Sequence, residues 1–217
     1  MTASMAYSSL AAWQKAHGAR FADYGTWHLA SVFTSVEQEQ AAARTGLALA
    51  DISSLAKVSL QGKNVDPFIR QWFGEVRPGY AGQVGGAKPA WGCVLTHDHC
   101  FLHALHPDWL PEFPAELAYD VTSAFAGLAL FGPEHGKILK QLSSLDIPLT
   151  GMTPGLCCQS ALAGVPAIFD GSNRNPLCTR VFFAWDLAEY VWERLWQTAH
   201  GMEMAALGME GYRSYVE

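Results

Sequence analysis

No apolar run in the 217-residue sequence reaches the about 18 residues that a membrane-spanning helix needs, so no membrane segment is expected. Positive charge is scarce: 14 Lys and Arg stand against 20 Asp and Glu, a net charge of −6. That balance opposes electrostatic binding to nucleic acid or to an anionic membrane, and no basic or basic-aromatic run offsets it. The N-terminus lacks a positively charged stretch followed by an apolar core, so a secretory leader is not expected. The five cysteines, Cys93, Cys100, Cys157, Cys158 and Cys178, are odd in number and contain no Cys-x-x-Cys pair. Free thiols and a cytoplasmic location are the expectation.

What is present suffices for a large core, because 50% of the residues are apolar. The length allows one large domain or two small ones. The pattern mixes helices and strands. Residues 8–17 read as a helix capped by Ser8 or Ser9 and stopped at Gly18. Residues 20–33 read as a strand with a turn at Gly25. A helix over 35–45 has Ser35 and Gln38 as a capping box, and it runs through Gly46 into an Asp51-Ile52-Ser53 turn. Lys57–Gln61 alternates like a strand, and Asn64 is placed to cap a helix over 64–73. Residues 74–90 hold five glycines and two prolines and read as a loop.

Further on, strands over 91–96 and 100–106 flank the polar tip His97-Asp98-His99. Gly127–Phe131 reads as a buried strand, with Gly132-Pro133 opening the next helix. This strand-glycine-helix unit echoes residues 57–73 and suggests two related α+β lobes. Strands follow over 156–162 and 166–169, with the turn between them at Gly164, and over 179–184. Asp186 and Glu189 are expected to cap a helix that ends near Gly201, followed by a helical turn over 203–209 and a tail containing Tyr212.

Candidate chemistry is sparse. His97, Asp98, His99, Cys100, His103 and His106 are metal-ligating types, but a hairpin tip and two strand faces do not bring them together, and a solvated turn is the plainer reading. Cys157 and Cys158 should point to opposite faces of one strand, which suits a small buried apolar residue better than a nucleophile. Gly82–Gly86 lacks the Gly-Lys-[Ser/Thr] of a phosphate loop. Most tryptophans read as core. One or two could stack on a planar ligand, Trp91 among them.

Several segments, in order and at matching spacing, resemble the glycine-cleavage T-protein (aminomethyltransferase) superfamily. They are His17-Gly18-Ala19, Gly25-Thr26-Trp27, Glu39 with Arg44, Gly46 to Ser53, and Lys57 to Val65. Leu130–Pro133, Ala163–Pro166 and Ala188–Leu195 extend the resemblance, and residues 139–198 are similar to the short gamma subunit of heterotetrameric sarcosine oxidase. The resemblance implies an α+β fold of two interleaved ferredoxin-like lobes, approximately 1–55 plus 125–217 and 56–124. In full-length members a C-terminal β-barrel follows, which this chain is expected to lack.

The resemblance also implies a tetrahydrofolate site. Leu55 matches a pocket-lining apolar position. The family's Gly-Gly-x-x-Asp-Asp motif aligns with Gly85–Ala90, where Pro89 and Ala90 replace the carboxylates, leaving Glu75 or Asp98 as the nearest substitutes. Arg180 falls near the family's folate-binding Glu, and a guanidinium only donates hydrogen bonds. Leu55, Trp91 and Arg180 are therefore the cofactor-contact candidates, with no catalytic residue assigned. Two functions are expected: a tetrahydrofolate-binding relative of the aminomethyl transferases with a degenerate site, or a non-catalytic subunit or regulatory module of an amine-oxidising or one-carbon complex. The second implies a protein subunit partner or a homodimer. A lipoyl carrier partner would accompany only the catalytic reading.

Overall fold

The computed structural model describes residues 5–84, 88–172 and 178–217. It is α+β. In chain order the elements are β1 (Ala6–Tyr7), α1 (Ala11–Ala16), β2 (Arg20–Tyr24), β3 (Trp27–Val32), α2 (Val36–Thr45), β4 (Leu47–Asp51) and β5 (Ala56–Gln61). Then come α3 (Asp66–Phe73), β6 (Ala81–Val84), β7 (Ala90–Thr96), β8 (His99–Ala104), β9 (Ala118–Asp120) and β10 (Phe125–Phe131). The last are α4 (His135–Leu142), β11 (Cys157–Leu162), β12 (Val165–Asp170), β13 (Cys178–Ala184), α5 (Ala188–Thr198), β14 (Met204–Leu207) and α6 (Met209–Val216).

Two sheets organise the protein. One has six strands in the order β11-β12-β13-β10-β4-β14, the other five in the order β6-β7-β8-β5-β9. A three-stranded sheet, β1-β3-β2, carries the N-terminal hairpin. The strand period of two sorts the six-stranded sheet's side chains into faces. Leu128, Leu130, Val181 and Phe183 point to the core shared with Ile138 and Leu139 of α4 and with Val191 and Leu195 of α5. Ala129, Phe131, Ile168 and Phe182 point the other way, into a core shared with Ala81, Cys93 and Phe101 of the five-stranded sheet. The opposite face of the five-stranded sheet, with Val58, Leu60, Val94 and Leu102, packs under Ile69 of α3. Helices thus cover the two outer faces, and the space between the sheets is closed on both sides.

Several local expectations hold with residue-level detail. The Ser35 hydroxyl accepts from the Gln38 N–H at 3.3 Å at the start of α2. Ala163 and Gly164 both have positive φ in the β11–β12 turn, the primed geometry that suits a two-residue hairpin. Cys157 is buried and Cys158 partly exposed.

Other expectations are corrected. The segment before Asp51 is a strand: Leu47 to Ala50 are buried, and β4 lies between β10 and β14 with both faces covered, so its continuous apolar run shows no alternation. β6 interrupts the glycine-rich 74–90 segment because its backbone pairs with β7; Gly85, Gly86 and Ala87 lie outside the described residues. Residues 204–207 are not helical but form β14, parallel to β4, and the expected tail is α6, with Tyr212 buried. Neither α3 nor α5 has a side-chain cap: α3 begins beyond Asn64, with a proline in its first turn, and α5 is entered through a 3-10 turn over Trp185–Leu187. α4 also begins beyond Pro133, at His135.

Candidate functional site

Strand parity aims four polar or aromatic side chains into the space between the sheets. In the five-stranded sheet Trp91 of β7 stands directly opposite His103 of β8. In the six-stranded sheet Asp170 of β12 stands opposite Arg180 of β13. The two cross-strand pairs meet face to face. The Arg180 guanidinium carbon lies 4.3 Å from the centre of the Trp91 ring, within cation–π range. His103 Nε2 is 2.8 Å from Asp170 Oδ2, and its ring stacks on Trp91 with centroids 5.5 Å apart.

Neighbouring elements complete the cluster. The Ser172 N–H and hydroxyl donate to Asp170 at 2.7 and 3.0 Å. Arg180 donates from Nη1 to Ser172 Oγ at 3.1 Å and to Asp170 at 3.4 Å, and from Nε to the Tyr212 hydroxyl at 2.9 Å. His103, Asp170, Arg180 and Tyr212 are all 0% exposed. Two polar atoms of the cluster, His103 Nδ1 and Arg180 Nη2, have no hydrogen-bond partner among the described residues.

The charge states follow from these contacts. Burial opposes ionisation of Asp170, but the bond from His103, the charge of Arg180 and the bond from Ser172 outweigh it and hold the carboxyl well below the usual range. Burial pushes His103 down despite its bond to Asp170, so the ring is neutral. With Nε2–H given to the carboxylate, Nδ1 is left as an acceptor. Burial also opposes the Arg180 charge, and the charge of Asp170 with the hydrogen bond to the Tyr212 hydroxyl more than restores it. Burial pushes the Tyr212 hydroxyl up to about 12. The result is one buried ion pair held by neutral hydrogen-bonding groups, the arrangement a low-dielectric interior requires.

Of the three cofactor-contact candidates, Trp91 and Arg180 come together, and they touch each other. Leu55 lies elsewhere. It is 1% exposed and lines a cleft of about 690 Å³ with Tyr24, Trp27, Trp109, Asp120 and Arg213. Directly behind it, Lys57 is fully buried and donates to the Ser53 and Leu55 carbonyls at 2.7 and 2.8 Å. Burial lowers its amine to about 7, with Asp51 and Asp120 opposing. The substitute carboxylates are engaged at the surface: Glu75 pairs with Arg70, and Asp98 accepts from the Thr96 hydroxyl at 2.6 Å.

Among the described residues no group of three or more His, Cys, Asp or Glu is placed to hold a metal ion. His103 turns inward, while His106 is exposed beyond the strand. A second cleft of about 570 Å³ runs between Tyr80, Ile147, Met152 and Leu156. Sequence reasoning missed His103, Asp170 and Tyr212 as members of the cluster. The alternation of β8 and β12 places His103 and Asp170 on their inward faces, but nothing local to Tyr212 pointed to burial.

Residues 10–84 match the family model of the GCVT N-terminal domain. The aminomethyltransferase of Bacillus velezensis is 26% identical over 153 residues, spanning 61% of this chain and 42% of that protein. Sarcosine oxidase subunit alpha of Corynebacterium sp. is 28% identical over 171 residues, 62% of this chain and 17% of that subunit. The crystal structure of glycine cleavage system aminomethyltransferase T from Bartonella henselae superposes with a TM-score of 0.76 at 16% identity, covering 98% of this chain and 62% of that one.

The chain matches the T-protein superfamily. A chain of heterotetrameric sarcosine oxidase from Corynebacterium sp. U-96 shares the T-protein-type fold with a TM-score of 0.59 at 16% identity, over 78% of this chain and 93% of that one. The alignment spans about two fifths of the length of the curated aminomethyltransferases. No helix among the described residues is long and apolar enough to cross a membrane.

Proposed function

We propose that this T-protein-type chain is a non-catalytic subunit or regulatory binding module of an amine-oxidising or one-carbon complex, with a degenerate folate site. In this reading residues 1–55 with 125–217 form one lobe and 56–124 the other. The observation that carries it is the stacked, buried Arg180–Trp91 pair. The guanidinium stands near the position where the family resemblance implies a carboxylate, and Tyr212, Asp170 and Ser172 already engage its Nε and Nη1 donors. A ligand at the same place would have to expel a charged side chain from its carboxylate partner Asp170, which costs on the order of 3–5 kcal/mol. The test is calorimetric titration with 5-formyltetrahydrofolate. The reading expects no heat and no thermal shift at millimolar ligand, and saturable micromolar binding would sink it.

A second reading is favoured by the Leu55 cleft. Its volume of about 690 Å³ falls in the range of small-molecule sites, roughly 300–1,000 Å³, and Tyr24, Trp27 and Arg213 line it. There a tetrahydrofolate would bind without disturbing Arg180, and Leu55→Trp would abolish the titration heat while Arg180→Glu would not create it.

A further inference from the structure

We propose that Trp91, Asp170, Ser172 and Tyr212 form a recognition box for a planar amidinium group, and that Arg180 occupies it from within the chain. Each wall meets one property of such a cation. The Trp91 ring offers its face at 4.3 Å. Asp170 supplies the countercharge, and Ser172 Oγ and the Tyr212 hydroxyl accept in-plane N–H groups at 3.1 and 2.9 Å. A compact ammonium could pair with Asp170, but it could not stack and reach both hydroxyls from one plane.

Asp170, Ser172 and Trp91 have contacts besides Arg180 that hold them, whereas the Tyr212 hydroxyl is bonded to Arg180 itself. Asp170 is pinned by His103 Nε2 at 2.8 Å and by the Ser172 N–H at 2.7 Å. Trp91 is fixed in the β7–β8 ladder against His103. Tyr212 sits on α6, its ring 6.1 Å from that of Phe131. Arg180 approaches from a separate strand, β13, and its Nη2 has no partner among the described residues. Arg180 reaches Asp170, Ser172 and Tyr212 through Nε and Nη1 alone, the two nitrogens that a small amidinium also carries. Removing the side chain should leave a preorganised polar cavity that retains the selectivity of the box. Buried engineered cavities do admit small ligands. In the native chain Arg180 is thus a self-contained occupant that shuts the box to outside amidines. The box is formed by the cluster alone, whatever reduced folates do at the chain.

The experiment uses Arg180→Ala and methylguanidinium as the probe, with methylammonium and the native chain as controls, read by thermal unfolding. Arg180→Ala should show a saturable rise of roughly 5 °C with methylguanidinium, none with methylammonium, and the native chain should show none with either. Arg180→Ala/Trp91→Leu should bind about tenfold more weakly, the stacking face being gone. If Arg180→Ala does not hold its fold unaided, refolding by dilution from urea with and without methylguanidinium reads the same property, and recovery only with the cation supports the box. No cation-specific rise or recovery, equal response to methylammonium, or an equal response of the native chain would overturn it.

Discussion

Lys57 gives a quantitative test of the buried frame behind the Leu55 cleft. Its side chain is 0% exposed and makes hydrogen bonds to two backbone carbonyls, those of Ser53 and Leu55. A neutral amine has two N–H groups and satisfies both acceptors, whereas an ammonium would bury a third. Burial lowers its pKa from 10.5 to about 7, a preference for the neutral form of about 5 kcal/mol. Above pH 7 the unfolded chain therefore binds more protons at this residue than the folded one, so stability rises with pH, by about 1 kcal/mol per unit.

The favourable contribution is complete above the unfolded value of 10.5 and is lost as pH falls through about 7. The upper part of that window is masked. Burial raises the thiols of Cys93, Cys100, Cys158 and Cys178, and these subtract stability once unfolded thiols ionise, above about pH 8.5. Lowered histidines such as His103 and His135 act with the same sign as Lys57 but below their unfolded value of 6.5. Urea unfolding at pH 7.0 and 8.5 under reducing conditions should thus show the native chain gaining roughly 1–2 kcal/mol. Lys57→Met should remove that gain, because the titrating amine is gone from both the folded and the unfolded chain. A gain of equal size in both proteins would refute the assignment, as would a native chain whose stability is flat across the interval.

Two further perturbations test the frame that holds the elements together. The buried Glu39 carboxylate accepts from the N–H groups of Phe33, Thr34 and Gly208 at 2.5, 3.0 and 2.8 Å, so it ties α2 to the ends of β3 and β14. Glu39→Ala should cost roughly 3–5 kcal/mol in urea unfolding, and a loss under 1 kcal/mol would show those bonds to be dispensable. At Gly132 φ is +111°, and a Cβ would lie 1.9 Å from the Gly46 carbonyl oxygen. Gly132→Ala should therefore leave little soluble folded protein at 37 °C, and circular dichroism showing a native-like melt would contradict the close approach of β10 to β4.

The sequence by itself determined the element types where local chemistry and period agree. Ser35 with Gln38, the Ala163-Gly164 turn and the alternation of β5 were readable because their signals are complete within a few residues. The superfamily was readable for the same reason, since its ordered short segments from His17 to Val65 are local. Elements whose period is erased by burial on both sides, such as β4, were not. Nor was β14, whose pairing with β4 joins residues 204–207 to residues 47–50 and leaves no mark in either stretch alone.

The centre was decided by tertiary structure. Trp91 and Arg180 were each chosen as contacts for a ligand, but only the stacking of one sheet on the other made them contacts for each other. His103, Asp170 and Tyr212 are ordinary residues in a strand, a strand end and a short helix. Their common burial around one guanidinium depends on register across two sheets and on where α6 docks. Desolvation then sets their charge states, because an ion pair withdrawn from water persists only with its hydrogen bonds in place. A sequence can supply such a pair, but only packing determines whether it faces a ligand or closes on itself.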